Sequence, residues 1–290
     1  MAAGRTGILE MASNFAIDVR GIGKRYTLGT PGAARGLHKL FEDGVRSMVR
    51  RIRNPLARPV PRERHLWALR NIDFKVRHGE IVGLAGHNGA GKSVLLKILS
   101  RITWPTEGWA CIEGQVGSML EVGAGFHPEF TGRENLYLVG RILGMRLPEI
   151  RAKFDQIVDF SEVHEMLDTP VKRYSSGMYV RLAFSVAAHL NANIMLFDEV
   201  IAVGDADFRE KCLRRIRAMS EEGRTVMFVS HNLEMIRELC PRVLVLESGT
   251  LVHDGPPDDA RLFSRHAHVL NLEPVNDQPA AQNPTPDRAQ

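Results

Sequence analysis

No run of about 18 apolar residues occurs anywhere in the 290-residue chain, so nothing in it reads as a bilayer-spanning helix. Cysteine is sparse: Cys111, Cys212 and Cys240 lie far apart. That spacing excludes a metal-ligand cluster and a disulfide framework, and it fits buried thiols in a reducing compartment. The first 15 residues lack the sustained apolar core of a signal peptide. No internal repeat is visible. Charge is nearly balanced, with a formal net charge of +4. What is present is an ordinary globular composition, 44% hydrophobic and 25% charged. It is enough for a full core in one large or two small domains.

The small positive excess is concentrated. Residues 35–65 hold eight Arg and one Lys against three acids. Within them Leu37, Leu40, Phe41, Val45, Met48, Val49 and Ile52 recur at helical spacing, with Arg46, Arg50, Arg51 and Arg53 on the same stretch. Prolines then break the pattern up to Arg64. Such a basic amphipathic helix suits an anionic membrane surface or a membrane partner. The plainer alternative is a helix packed on its own domain with a solvated arginine face. It lacks the interleaved aromatics that stack nucleic-acid bases.

Strands are expected at Phe15–Arg20, over "HLWALRNIDFKV" and "EIVGLAG", and at two continuous apolar runs, "NIMLFDEV" and "TVMFVSH", of the kind buried parallel strands require. Helices are expected over "KSVLLKILSR", Pro148–Leu167, Ser176–Leu190 and between the two apolar strands. "RVLVLESGTLVHDG" reads as a hairpin about Ser248 and Gly249. The last twenty residues, rich in Pro, Gln and Asn, read as disordered.

"GHNGAGKS", Gly86 to Ser93, matches the phosphate-loop pattern in full, with a strand before it and a helix after it. Glycine lets backbone N–H groups curl around phosphate oxygens without a Cβ in the way. The expected nucleotide cradle is Gly86, His87, Asn88, Gly89, Ala90, Gly91, Lys92, Ser93 and Val94. Lys92 reaches the β- and γ-phosphates and Ser93 offers its hydroxyl to Mg²⁺. "IMLFDE" ends an apolar strand in two acids. Asp198 is placed to hold Mg²⁺, and Glu199 to orient and deprotonate the attacking water.

"YSSGMYVRLAFSVAAHL" narrows the class. Tyr174 to Met178 resembles the signature motif of ABC ATPases, and a helix N-terminus headed by Ser175, Ser176 and Gly177 is itself an anion-binding surface. "AVGD", Ala202 to Asp205, stands where that family has its D-loop. His231 stands at the switch histidine, and Tyr26 at the aromatic that stacks on adenine. The resemblance runs from about Phe15 to Gly255. It implies an α/β P-loop fold with a RecA-like core, an antiparallel β subdomain and a helical signature subdomain. On this basis residues 1–14 are a flexible N-terminus and 15–265 the ATPase domain, with a basic insertion at 29–65 and the helical subdomain at about 127–190. Residues 266–290 are a disordered tail.

"VGAGFHPEFTGRENLYLVGRILG" and "DEVIAVGDADFREKC" further resemble ATPase subunits of polysaccharide exporters of the O-antigen and teichoic acid type. That resemblance implies ATP and Mg²⁺ as cofactors and a homodimer that sandwiches two ATPs. It also implies two copies of an integral-membrane permease that handles the glycan, no nucleic acid, and a peripheral place on the cytoplasmic face of the inner membrane. About 35 residues follow Gly255, too few for a glycan-binding β-sandwich. A soluble ABC ATPase acting on ribosome or DNA is the rival reading; such chains often hold two cassettes or long coiled coils, absent here. A P-loop metabolite kinase fits less well, given the signature turn and Glu199.

"LEVGAGFHPEF" occupies the family's glutamine-loop position. Ungapped alignment puts the glutamine at Val122, and Glu121 is one residue away. Glu121 is the candidate sensor and Mg²⁺ contact, although a carboxylate cannot donate a hydrogen bond as glutamine does. His127, without a second ligand, reads as a surface contact to the membrane partner. Replacing Arg46, Arg50, Arg51 and Arg53 by Ser is expected to leave ATP binding intact while lowering membrane association or export, measured by membrane fractionation beside nucleotide titration.

Overall fold

A computed structural model describes residues 14–28, 64–119, 125–198, 205–230 and 232–258. The first 13 residues, the basic segment up to residue 63, the C-terminal tail, and Glu121, Val122, Glu199, Ala202 and His231 lie outside the described residues.

Two sheets form the frame. One is antiparallel, in the order β2-β1-β4, built from β1 (Phe15–Leu28), β2 (Arg64–Arg77) and β4 (Glu107–Ile112). The other has six strands in the order β5-β6-β7-β3-β8-β9. It contains β3 (Ile81–Ala85), β5 (Val116–Met119), β6 (Ile194–Asp198), β7 (Thr225–Val229), β8 (Arg242–Glu247) and β9 (Thr250–Gly255). Only β9 runs antiparallel to its neighbour. β1 is longer than Phe15–Arg20 because β2 pairs with it as far as Leu28, while β4 pairs with it only up to Gly23, so Tyr26 lies in a strand and faces Leu66 of β2 in register.

The apolar runs become strands buried on both faces, as a parallel sheet covered on each side requires. Their alternation sorts the two cores. Val82, Leu84, Leu196, Met227, Val229, Leu244 and Leu246 point to the antiparallel sheet and to helix α1 (Lys92–Leu99). Met195, Phe197, Val226, Phe228, Val243 and Val245 point to the opposite, helical layer. That layer comprises α2 (Gly132–Ile142), α3 (Leu147–Ser161), α4 (Ser176–Ala188), α5 (Ala206–Glu221) and α6 (Leu233–Leu239).

α3 stops at Ser161, short of Leu167, because Glu162 turns left-handed with φ 59°. α2 escaped the sequence reading although its cap is legible: Thr131 and Glu134 form a reciprocal capping box. Phe184 of α4 stacks on Phe197 of β6 at 5.5 Å and meets Phe208 of α5 edge-on at 6.3 Å. This aromatic contact docks the helical layer against the strand that ends in Asp198.

Candidate functional site

The loop from Gly86 to Ser93 leaves the C-terminal end of β3 and enters α1. Three of its glycines have positive φ: Gly86 147°, Gly89 86° and Gly91 107°. Each has a different reason. A Cβ on Gly86 would lie 2.3 Å from Leu246 O, and one on Gly91 would lie 2.7 Å from both Ala68 O and Leu69 Cδ2. A Cβ on Gly89 would meet nothing within 4 Å, so only its positive φ calls for glycine there.

The first ladder bond of α1 is Leu95 N to Gly91 O, 2.9 Å, and Ala90 N donates to His87 O at 3.1 Å, so the ladder leaves the amides of Lys92, Ser93 and Val94 open to an anion at the positive end of the helix. Lys92 is buried, and its Nζ donates to Gly86 O (2.6 Å) and His87 O (3.2 Å). Its charge is thereby placed inside the curl of the loop. Ser93, on the first turn, is exposed.

Asp198 ends β6, paired in register with Val229 of β7, and Val229 pairs with Leu84 of β3. Asp198 and the loop therefore stand two strand spacings apart, about 10 Å, at the same end of the sheet. That is the edge where α/β sheets bind ligands. A hydroxyl and a carboxylate in this position form the hard-oxygen donor set that suits Mg²⁺. Glu199 directly follows Asp198 in the chain, Glu121 follows β5 by two residues, and His231 follows β7 by two. Tyr26 is exposed on β1, with Lys24 Nζ 5.4 Å from its ring centroid.

Ser175 caps α4, its Oγ accepting from Met178 N at 3.2 Å, and Ser176 is exposed. The preceding Tyr174 is fixed by its hydroxyl, which donates to Met166 O at 2.8 Å, and burial pushes its phenol up to about 12. Gly132 is needed beside it, since a Cβ there would sit 2.1 Å from the Tyr174 hydroxyl. Among the described residues, no hydrogen bond, ion pair or ring contact joins Ser175–Gly177 to Gly86–Ser93 within the chain. The two anion-binding helix ends belong to opposite faces of the six-stranded sheet.

His127 is exposed and stacks on Phe130 at 4.4 Å. Its main chain is held on both sides by buried Asn135: His127 N donates to Oδ1 at 2.7 Å, and Nδ2 donates to His127 O at 3.1 Å. Asn135 was not singled out from sequence; its place one residue beyond the capping-box glutamate is the only local signal. Asp205, the last residue of the D-loop match, accepts from Phe208 N and caps α5.

Fold and loop together define a P-loop nucleotide-binding protein with an added antiparallel sheet and an added helical layer. Residues 69–202 match the family model of the ABC transporter. The O-antigen export system ATP-binding protein RfbB of Klebsiella pneumoniae is 45% identical over 192 residues, which are 66% of this chain and 78% of that protein. RfbB of Myxococcus xanthus is 42% identical, and the teichoic acids export ATP-binding protein TagH of Enterococcus faecalis 41%; the chain spans 47% and 43% of their lengths, about half of each. A dimeric ATP-binding cassette solved in a post-hydrolysis state with ADP and Pi shares the fold, with TM-score 0.64, 20% identity, 83% of this chain covered and 98% of that one. The chain belongs to the ABC transporter family and has the fold of its ATP-binding cassettes.

Gly91→Ala is expected to cost about 1–3 kcal/mol from backbone strain alone, lowering the melting temperature by about 2–12 °C for a domain of this size. Lys92→Ala is expected to keep the fold and weaken ATP binding about tenfold or more, read by nucleotide titration beside thermal melting.

Proposed function

We propose that this chain is the ATP-hydrolysing subunit of an exporter of a cell-surface polysaccharide, a lipid-linked glycan such as O-antigen, capsule or teichoic acid. The observation that carries this reading is the 45% identity to an O-antigen export ATP-binding protein over 78% of that protein's length, combined with a fully formed phosphate loop. The subunit is placed at the cytoplasmic face of the membrane, peripherally. Among the described residues no helix is long and apolar enough to cross it.

In this reading the amides of Gly89 and Gly91–Val94 and the Lys92 ammonium bind and orient the β- and γ-phosphates. Tyr26 offers its exposed ring to adenine. Ser93 and Asp198, with Glu121 as a further candidate, hold Mg²⁺, which neutralises charge on the transferring phosphoryl group. Glu199 takes the proton of the attacking water, and His231 contacts the γ-phosphate. Ser175, Ser176 and Gly177 cannot reach the loop of their own chain in this arrangement. They complete the site of a second copy, giving a homodimer with two shared ATPs.

A permease surface is proposed beside β5. A cavity of about 370 Å³ is lined by Arg101, Gln115, Leu143, Met145 and Glu149. Its chain neighbours Ile102, Trp104, Ile142 and Leu147 are exposed, Trp104 by 83% and Ile102 by 64%. Large apolar side chains around a polar hollow mark a protein contact, and β5 leads from this cavity directly into residues 120–124.

Glu199→Gln is expected to bind ATP normally, hydrolyse it about 10²–10⁴-fold more slowly and accumulate an ATP-held dimer. It should fail to restore glycan export to a deletion strain that the unaltered chain rescues. Rescue by Glu199→Gln, or glycan retained in the cell with both chains, would remove the reading. Trp104→Glu with Ile142→Asp is expected to keep basal ATP hydrolysis and lose co-purification with the membrane subunit.

A further inference from the structure

Lys24 and Tyr26 stand two positions apart on β1, and the Lys24 ammonium lies 5.4 Å from the centroid of the Tyr26 ring. Arg25, between them in the chain, goes instead to the ring of Trp67 at 5.5 Å. The ammonium is held from another part of the fold. Nζ donates to Thr103 Oγ1 at 3.0 Å and to Trp104 O at 2.7 Å, in the loop that follows α1. That loop is fixed at both ends. Ile102 N and Thr103 N donate to Lys97 O of α1 at 2.9 and 3.2 Å, Thr106 N donates to Gly23 O at 2.7 Å, and Arg25 N donates to Thr106 Oγ1 at 3.0 Å.

Both oxygens that hold the ammonium are neutral, and among the described residues no carboxylate pairs with it. Its charge is therefore left to act on the ring, whose π face attracts a cation. Tyr26 itself is 41% exposed. An exposed tyrosine with no fixed neighbour turns among its rotamers, and a ligand that stacks on it must first immobilise it. Lys24 takes up one side of the ring and leaves the rest to solvent.

We propose that Lys24 is a positioning residue for the nucleotide base. Anchored on the loop after α1, it holds the Tyr26 ring in the orientation that receives adenine on the side away from the ammonium. α1 then serves both ends of one nucleotide. The amides at its N-terminus take the phosphates, and the loop at its C-terminus fixes the base platform through Lys24. The inference rests on the reading of Tyr26 as the adenine platform given above. The rival is a strut, in which Lys24 only fastens the loop to β1.

A ligand with phosphates and no base separates the two. The test titrates the full-length chain with ATP and with inorganic triphosphate, both with Mg²⁺, beside thermal melting. Lys24→Met removes the charge and the donors while keeping a long side chain. It is expected to weaken ATP about three- to tenfold, the cost of immobilising one side chain on binding, and to leave triphosphate within about twofold. Tyr26→Leu is expected to weaken ATP about fivefold or more, again with triphosphate unmoved. The double variant should bind ATP no more weakly than Tyr26→Leu alone, since the lysine acts through the ring. If Lys24→Met fails to fold, Thr103→Val takes its place. It removes one of the two oxygens that hold the ammonium and should weaken ATP about threefold.

ATP affinity unchanged in Lys24→Met, an equal loss for ATP and triphosphate, or losses that add in the double variant overturn the positioning role and leave a strut. The adenine reading survives those results as long as Tyr26→Leu weakens ATP. A Tyr26→Leu chain that binds ATP as the unaltered chain does would instead overturn the adenine platform on which the inference rests.

Discussion

Two main-chain hydrogen bonds hold the phosphate loop in shape, and both sheets depend on them. Gly249 N, in the β8–β9 turn, donates to Ala90 O at 3.0 Å, and Arg70 N of β2 donates to Gly249 O at 2.8 Å. One turn residue thus links the loop, the six-stranded sheet and the antiparallel sheet. Only glycine serves there: φ is 80° and a Cβ would fall 2.7 Å from Ala68 O. With the loop fastened, Gly91 packs under Leu69, and α1 can bury Leu95, Leu96 and Leu99 against β1 and β2. At the far side of this junction Arg242 binds Asp254, Glu80 and Lys75 O together. Hydrogen bonding to the two carboxylates raises the Arg242 guanidinium above its ordinary value, so the link stays charged.

The helical layer is organised around the opposite ends of α4. The carbonyls at and just beyond its C-terminus are covered by cations from α3, α5 and the loop before β7: Lys153 on His189 O at 2.7 Å, Arg215 on Ala188 O at 3.3 Å and Arg224 on Leu190 O at 2.9 Å. Positive charge belongs at the negative end of a helix dipole, and there it also satisfies carbonyls the ladder leaves open. Burial lowers the Lys153 ammonium from its ordinary value, the main cost of recruiting it so far inside. The same environment keeps His189 below its usual range, burial first and the neighbouring cations after it. The N-terminal end of α4 has the reverse character: Ser175 and Ser176 are exposed, and the dipole end faces outward. The helix is thus anchored by cations at its negative end, while its positive end carries the Ser175 cap and lies open to solvent.

What sequence reading captured and missed divides along the range of the interactions. The phosphate loop, the Ser248–Gly249 hairpin and the buried strands are local patterns, legible because backbone conformation and alternation leave marks on adjacent residues. β1 beyond Arg20 was not legible. Its residues continue as strand because β2, and β4 at Gly23, pair with them from 36 or more positions away, not because of their own propensity. The clamps that shape the helical layer have the same character. Arg181 and Asp205 are 24 residues apart, Lys153 and Asn191 are 38, and Arg242 and Glu80 are 162. A charged residue in an amphipathic pattern looks solvated until its partner's position is known. α2 is the exception, a local signal that the boundary Thr131-Gly-Arg-Glu134 carried openly.

Strand order connects the legible motifs to the residues whose roles are proposed. Read across the sheet, β5, β6, β7 and β3 are neighbours and parallel. Their C-terminal ends lead, in that same order, to Glu121, Glu199, His231 and the phosphate loop. In the chain these four are scattered in a different order over 146 positions, from Gly86 to His231. Described residues flank each of them in the chain. Asn232 caps α6 and its N–H donates to Ser230 Oγ at 3.0 Å, so His231 lies between two anchored neighbours. Asp198 and Asp205 bracket the stretch that includes Glu199, and Met119 and Gly125 bracket Glu121. The one-residue offset of Glu121 against Val122 is a difference of chemistry: of the two, only the acid has oxygen to offer a cation or a water.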